Sequence, residues 1–485
     1  MKMRIRQWLI GRGKSLARCL LLRRWQGSVT VFLTYLLVFI LAVVFSLLEV
    51  SRVWGLEQRT EVDAVMTGNS LLSEYDVELW EKYGLLFLDG SYGQAGFQWK
   101  YVEQQGLSFS TENLDVHGGD TGKVQLQTWN LFGLKPVNVT ITGYGLATDQ
   151  DGRAFYKEAV TAMEEQCTEE ILCQLYDMIT QKKDSVLPEV DVQETDREIV
   201  LSENPIQVAE NMKASNILDF VVNGTELSDK RIDLSNGLQK RQLDTGTYSY
   251  AETGADWKEK LLFRQYLEAY FPCYLDVDGS HALDYELEYL IAGKDSDREN
   301  LRGVIQRLLV MREVTNLAYL KSDVEKQELI LAAAAALAAA TLTPELIPVY
   351  KQGIMAAWAY VESVSDVKLL LDGQKVKLIK TAEQWHSDLT SMGTTAVSVQ
   401  QTQGLSYQQY LQILLWTCMD SRLCYRAMDL IEANLGCNMN RQIYRMEGDI
   451  FYQGKPLFSA LLAIGKGSLD QYEFSQSFDV NYLRE

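Results

Sequence analysis

Residues 28–48, SVTVFLTYLLVFILAVVFSLL, are 21 consecutive positions without a charge in a chain of 485 residues. A helix rises 1.5 Å per residue and a bilayer core is about 30 Å thick, so one segment of this length spans it. Ahead of it, residues 1–27 hold Lys2, Arg4, Arg6, Arg12, Lys14, Arg18, Arg23 and Arg24 and no acid. The chain as a whole stands at −19, so this arm contributes +8 and the rest carries −27. The positive-inside rule predicts a cytoplasmic arm of residues 1–27 and places everything after Glu49 outside the cell membrane. Trp25 and Trp54 bracket the span at a separation of roughly 43 Å of helix, the thickness of a bilayer with its headgroups. Glu49, at the far end, is set to pair with Arg52 at i,i+3.

A cleaved secretory signal is the competing reading. Its apolar core runs to about 7–15 residues and closes on small residues, and Phe45-Ser46-Leu47-Leu48-Glu49 supplies no such site. The expectation is an uncleaved signal anchor. Leu329–Leu342 (LILAAAAALAAATL) is the other long apolar run, but it reaches only about 21 Å and is mostly alanine, so it reads as a close-packed core helix.

Beyond the span the pattern predicts an α+β fold: a largely helical extracytoplasmic region with a smaller antiparallel sheet. A juxtamembrane helix (49–95) is expected to carry Val62, Val65, Leu72 and Leu79 on one face, together with Asn69 and Asp76, and to end at Gly84 and Gly90. An α+β part follows (96–222), with strands at Lys123–Asn130 and Pro136–Tyr144 and helices over 151–185 and 205–222; Leu172, Leu175 and Met178 form a stripe in the first. Residues 223–256 are polar and turn-rich, a loop or linker. The helix-rich part (257–485) is predicted to hold a strand at His281–Ile291, helices at Leu301–Leu320 and Leu346–Leu371, a helical hairpin at 407–436, and strands within 444–482 around a short apolar helix near Phe458–Ile464. Strands near both ends of the exterior suggest that its two ends share a sheet.

Chemical motifs are scarce. Gly13-Lys14-Ser15 lacks the earlier glycine of a phosphate loop, because position 8 is Trp8. His117, His281 and His386 are far apart in sequence and show no metal-binding spacing. Asp149–Gly152 and Asp276–Gly279 bring glycine at position four, where a calcium loop needs it at six, so both read as turns. Trp358 and Trp385 read as core aromatics. Cys167, Cys173, Cys273, Cys418, Cys424 and Cys437 lie outside and are expected to be free thiols, Cys19 lying in the arm. No catalytic residue, cofactor or metal ligand is assigned, and the protein is expected not to be an enzyme. Its acidic balance excludes a nucleic-acid partner.

Several segments resemble an uncharacterised bacterial membrane-protein family, domain of unknown function 5702. They are QGSVTVFLTYLLVFILAVVFSLLEVSR, LLSEYDVELWEKYGLLFLD, EYLIAGKDSDREN, AAWAYVESVSDVKLLLDGQKVKLIK, LSYQQYLQILL and YRAMDLIE. The resemblance implies no established activity. In layout such proteins are similar to accessory pseudopilins of tight-adherence pilus systems: a basic leader, Gly27, then Ser28 opening an apolar helix. Pilin-like subunits carry a glutamate five residues into the mature chain; counted from Gly27, that position is Phe32. The expected role is a membrane-anchored structural or assembly component of the cell envelope, with the lipid bilayer and other envelope or pilus-assembly proteins as partners. An anchored ligand-binding ectodomain and an exported hydrolase are the alternatives.

Overall fold

The computed structural model describes residues 2–94, 98–114, 133–164, 190–222, 224, 226–248, 256–277, 279–392, 403–458 and 471–483, with side chains from Val29 onward. In chain order the helices and strands used below are α1 (Lys2–Leu72), α2 (Val77–Tyr83), β1 (Leu88–Asp89), α3 (Trp99–Leu114), β2 (Leu134–Leu146), α4 (Asp149–Glu164), α5 (Pro205–Ala214), α6 (Leu218–Val221), α7 (Trp257–Tyr270), α8 (Glu286–Ala292), α9 (Asp297–Ser322), α10 (Val324–Thr341), α11 (Ile347–Leu371), α12 (Tyr407–Trp416), α13 (Asp420–Leu435), β3 (Gln442–Gly454) and β4 (Tyr472–Asn481). Helix dominates, with one small antiparallel sheet. The chain divides into two units, one of residues 1–74, 90–143 and 446–481 and the other of residues 75–89, 144–445 and 482–485.

In the first unit α1 runs without a break through the uncharged segment. Residues 29–41 are all exposed, and α1 is, among the described residues, the one helix long and apolar enough to cross a membrane. Burial begins at Glu49. From there Arg52, Leu56, Thr60, Asp63, Ala64, Thr67, Gly68 and Leu71 are covered at steps of three and four, one helical face. That face meets α3, which buries Val102, Gly106, Ser110 and Leu114 every fourth residue, and β4. Small residues set the approach: a Cβ on Gly68 would lie 2.8 Å from Val480, and one on Gly106 3.3 Å from Val139.

The sequence pattern chose a different face. Val62 and Val65 are half-exposed, and the helix stops at Leu72, so Leu79 belongs to the separate α2, which Gly84 closes in a left-handed conformation. The buried face is built from small and hydrogen-bonded polar residues: Asp63 accepts from Ser110 Oγ at 2.5 Å and from Tyr452 Oη at 2.8 Å. A search for apolar periodicity passes over such a face.

The sheet order is β1-β3-β2, with β4 also pairing β3. β1 and β3 are antiparallel, Leu88 opposite Ile443. Strands from both ends of the chain beyond the apolar segment therefore share one sheet.

The second unit is a helical core around α11. Ile354, Trp358, Val361, Val364, Val367 and Leu371 are buried on it, and so are Glu362, Ser363, Ser365 and Asp366 between them. α9, α10, α5 and α6 pack against it. In α10 the alanines at 332, 333, 334 and 338 are buried, which confirms a core helix. The predicted hairpin forms as α12 and α13. The strand expected at His281–Ile291 does not form: Glu286–Ala292 is a helix closed by Gly293 at φ 69°. Alternation misled here because Leu287, Glu288, Tyr289, Leu290 and Ile291 are all buried, so no exposed face remains to define a period of two. Residues 226–248 are irregular, as their composition implied, and are pinned by Arg241 to Glu432 at 2.5 Å.

The turn at Asp149–Gly152 holds Gln150, Asp151 and Gly152 all at positive φ. Asp149 is spent on the amides of Leu146 and Gly246, at 2.7 and 2.8 Å. Cys273, Cys418, Cys424 and Cys437 are free thiols. The predicted strand at 123–130, the helix beyond Glu164 with its stripe Leu172, Leu175 and Met178, the apolar helix beyond Phe458, His117, Cys167 and Cys173 lie outside the described residues, as does the side chain of Cys19.

Candidate functional site

Charge is concentrated in the middle of the helical unit. Glu362 and Asp366 stand four apart on α11, and Arg312 and Asn316 four apart on α9, so each helix turns one polar pair towards the other. The segment after α11 brings in Lys380 and His386. Arg312, Glu362 and Asp366 are fully buried, and Lys380 is nearly so.

Their bonds form one network. Arg312 Nε donates to Asp366 Oδ2 at 3.0 Å, and its Nη1 donates to the carbonyls of Lys377 and Leu378, each at 2.9 Å. Asn316 Nδ2 donates to Ser363 Oγ and to Asp366 Oδ2, both at 3.0 Å. Lys380 Nζ bonds Glu362 Oε1 and lies 2.5 Å from Asp366 Oδ1. The amides of His386 and Ser387 close on Glu362 at 3.0 and 2.8 Å. Above them Trp385 packs against Tyr319 and, edge-on, against Trp358, with Lys326 Nζ 5.0 Å from both indole centroids. Burial alone would raise the Glu362 carboxyl, but Lys380 and the donated bonds outweigh it and hold the group well below the usual carboxylate range. Burial pushes the Lys326 ammonium down.

Glu362, Asp366 and His386 also offer ligand atoms within 4.8 Å of one another, a donor set of the kind that holds a divalent cation. Lys380 decides against that use. Its ammonium sits between the two carboxylates, where an ion would stand, and repels a second cation. The arrangement ties α9, α11 and the segment 377–387 together through two opposed charge pairs. Sequence reasoning did not assemble this cluster, because His386 has no ligand neighbour in sequence and acids are common in the chain. The legible signal was a polar pair at i,i+4 inside an otherwise apolar helix, VESVSD, matched by Arg312 and Asn316.

A second buried acid behaves differently. Glu288 Oε1 accepts from Tyr407 Oη at 2.7 Å and from the Tyr274 amide at 3.0 Å, while Oε2 has no hydrogen-bond partner among the described residues. Burial raises its carboxyl to about 7. The native state therefore holds a proton that the unfolded chain releases near 4.5, so stability falls as pH rises from about 4.5 to 7 and stays reduced above that. Glu288→Gln removes this loss. Denaturation at pH 8 should show the variant about 2–3 kcal/mol more stable than the parent, with the gap closing below pH 5. Equal stabilities at both pH values would show that the carboxyl titrates normally.

The residues expected at the anchor fall as follows. Trp25, Gly27 and Ser28 lie in α1, their side chains outside the described set. Trp54 is exposed. Glu49 and Arg52 are buried and paired at 3.0 Å. Glu49 also accepts the amides of Leu457 and Phe458, at 3.3 and 2.6 Å, and the Phe458 ring stacks on Phe45, centroids 6.3 Å apart.

These features define a helix-rich protein with one long apolar N-terminal helix and a charge-locked core. Residues 195–454 match the model of the Family of unknown function (DUF5702), and the chain belongs to that family. The buried network lies inside the matched range and the apolar segment outside it. No curated protein and no solved structure matches the chain.

Proposed function

We propose that this protein is a single-pass, membrane-anchored assembly component of the cell envelope, with its basic arm in the cytoplasm and the chain beyond Glu49 outside. The observation that carries this reading is the contact of the apolar segment with the folded chain. Phe45 and Glu49, at the end of the uncharged run, hold Leu457 and Phe458, and α1 passes unbroken from that run into the buried face of the first unit. A segment destined for removal has no need of such contacts, so they support a retained anchor over a cleaved signal. The finer reading is an accessory component of a tight-adherence pilus. Its support is the layout of basic leader, Gly27 and apolar helix, and the absence of glutamate at position 32 favours a resident component over a polymerising subunit.

Protease shaving of intact cells, with N-terminal sequencing of the membrane-retained fragment, tests the anchor. The expected fragment begins upstream of Gly27 and has lost the exterior; an N-terminus at or beyond Glu49 overturns the reading. Unchanged piliation in a clean deletion overturns the pilus assignment alone.

A further inference from the structure

One concave face of the helical unit carries the sign opposite to that of the chain. A cavity of about 780 Å³ opens between the end of α8, α9 and the junction of α12 with α13. Its wall includes Lys294, Arg307 and Arg422 and contains no Asp or Glu. All three cations are exposed. None is joined to an acid among the described residues; Arg307 reaches only the Cys418 sulfur, at 3.9 Å. Arg426 stands close by, fastened to the carbonyls of Leu290 and Ile291 at 2.7 and 3.0 Å, and its guanidinium is pushed down by burial and further by the charges of Arg422 and Arg307. In a chain at −19, uncompensated positive charge gathered on one concave face is an electrostatic cost that an anion would relieve. Between the cations lie apolar side chains, with Val310 and Met419 each 63% exposed.

We propose that this groove binds an acidic, amphipathic segment of a partner protein, its carboxylates on Lys294, Arg307 and Arg422 and an apolar side chain against Val310 and Met419. This goes beyond the anchor reading and stands whether or not that reading holds. The wall argues for the class of ligand. Arginine forks match planar carboxylates, and the exposed apolar residues would gain nothing from a phosphodiester polymer. No aromatic ring lines the groove to stack a sugar or base, and no carboxylate is present to hold sugar hydroxyls.

The test uses the full chain in a non-ionic detergent and a fluorescein-labelled peptide of alternating acidic and leucine residues, read by anisotropy. Saturable binding is expected, weakened about 10-fold or more by Arg307→Glu with Arg422→Glu, and several-fold by Val310→Ser with Met419→Ser. Circular dichroism should be unchanged in the first pair, since both side chains are exposed. Lys100→Glu with Lys135→Glu makes the same charge change in the other unit and should leave affinity within about 2-fold. No binding below 1 mM, equal weakening by the control pair, or no effect of charge reversal overturns the proposal. Inorganic polyphosphate binding more tightly than the peptide, and indifferently to Val310→Ser with Met419→Ser, would assign the groove to a phosphate polymer instead.

Discussion

Lys380→Ala will lower the unfolding free energy of the full chain by about 3–5 kcal/mol, the usual cost of breaking a buried pair by removing one partner. The reason is local. Glu362 and Asp366 are fully buried, and Asp366 Oδ1 has no hydrogen-bond partner among the described residues, so Lys380 is the group that balances it. Among the described residues, Arg312 is then the one arginine or lysine left paired with the two carboxylates, through Asp366. Glu362→Gln with Lys380→Ala removes one charge of each sign and is expected to recover at least half of the loss. The truncation also vacates the position between Glu362, Asp366 and His386, and millimolar Zn²⁺ should restore part of the stability in Lys380→Ala but not after a further His386→Ala. The acid limit follows from the same network. Glu362 is held below its unfolded value of 4.5, so its contribution is complete above that pH and is lost as pH falls below it. Urea denaturation across pH, read by tryptophan fluorescence and circular dichroism together, measures both effects. A loss below about 1 kcal/mol in Lys380→Ala would mean that the lysine balances nothing.

What was legible in the sequence, and what was not, divides along burial. The uncharged run at 28–48, the alanine helix and the stripe from Ile354 to Leu371 were readable because each has either one composition throughout or one apolar face. The strand predicted at 281–291 failed because the segment is buried all round, and the face of α1 failed because Thr60, Asp63 and Thr67 are covered in place of Val62 and Val65. Both errors come from equating buried with apolar. The candidate site is the extreme case: its charges are compensated by Arg312 and Lys380, brought from α9 and from the segment after α11, and the i,i+4 polar pairs mark the two helices without recording which residue beyond them completes the set. The shared sheet was inferred from strand signals near both ends of the chain beyond the uncharged run, but the register of β1 on β3 had no signal in sequence.

Glu49→Ala will release Leu457 and Phe458, which follow β3. The carboxylate takes the Arg52 guanidinium at 3.0 Å and the amides of Leu457 and Phe458, so its removal deprives three donors of an acceptor at once. Loss of a buried pair costs about 3–5 kcal/mol and each orphaned amide about 1–3 kcal/mol, enough to open this segment locally even where the rest of the fold persists. Chymotrypsin is the direct probe: Leu457 is exposed, and cleavage after Leu457 and Phe458 should accelerate about 10-fold or more in the detergent-solubilised variant. Glu49→Gln keeps an acceptor oxygen and should show an intermediate rate. Phe45→Ala, which removes only the ring stacked on Phe458, should increase cleavage by a smaller factor. If neither change alters the rate, Phe45 and Glu49 do not hold the segment and the support for a retained span falls with them. If both do, a chain cut after Leu48 would lose Phe45 and begin at the residue that grips Phe458, so removal of the span would weaken the fold that it leaves behind.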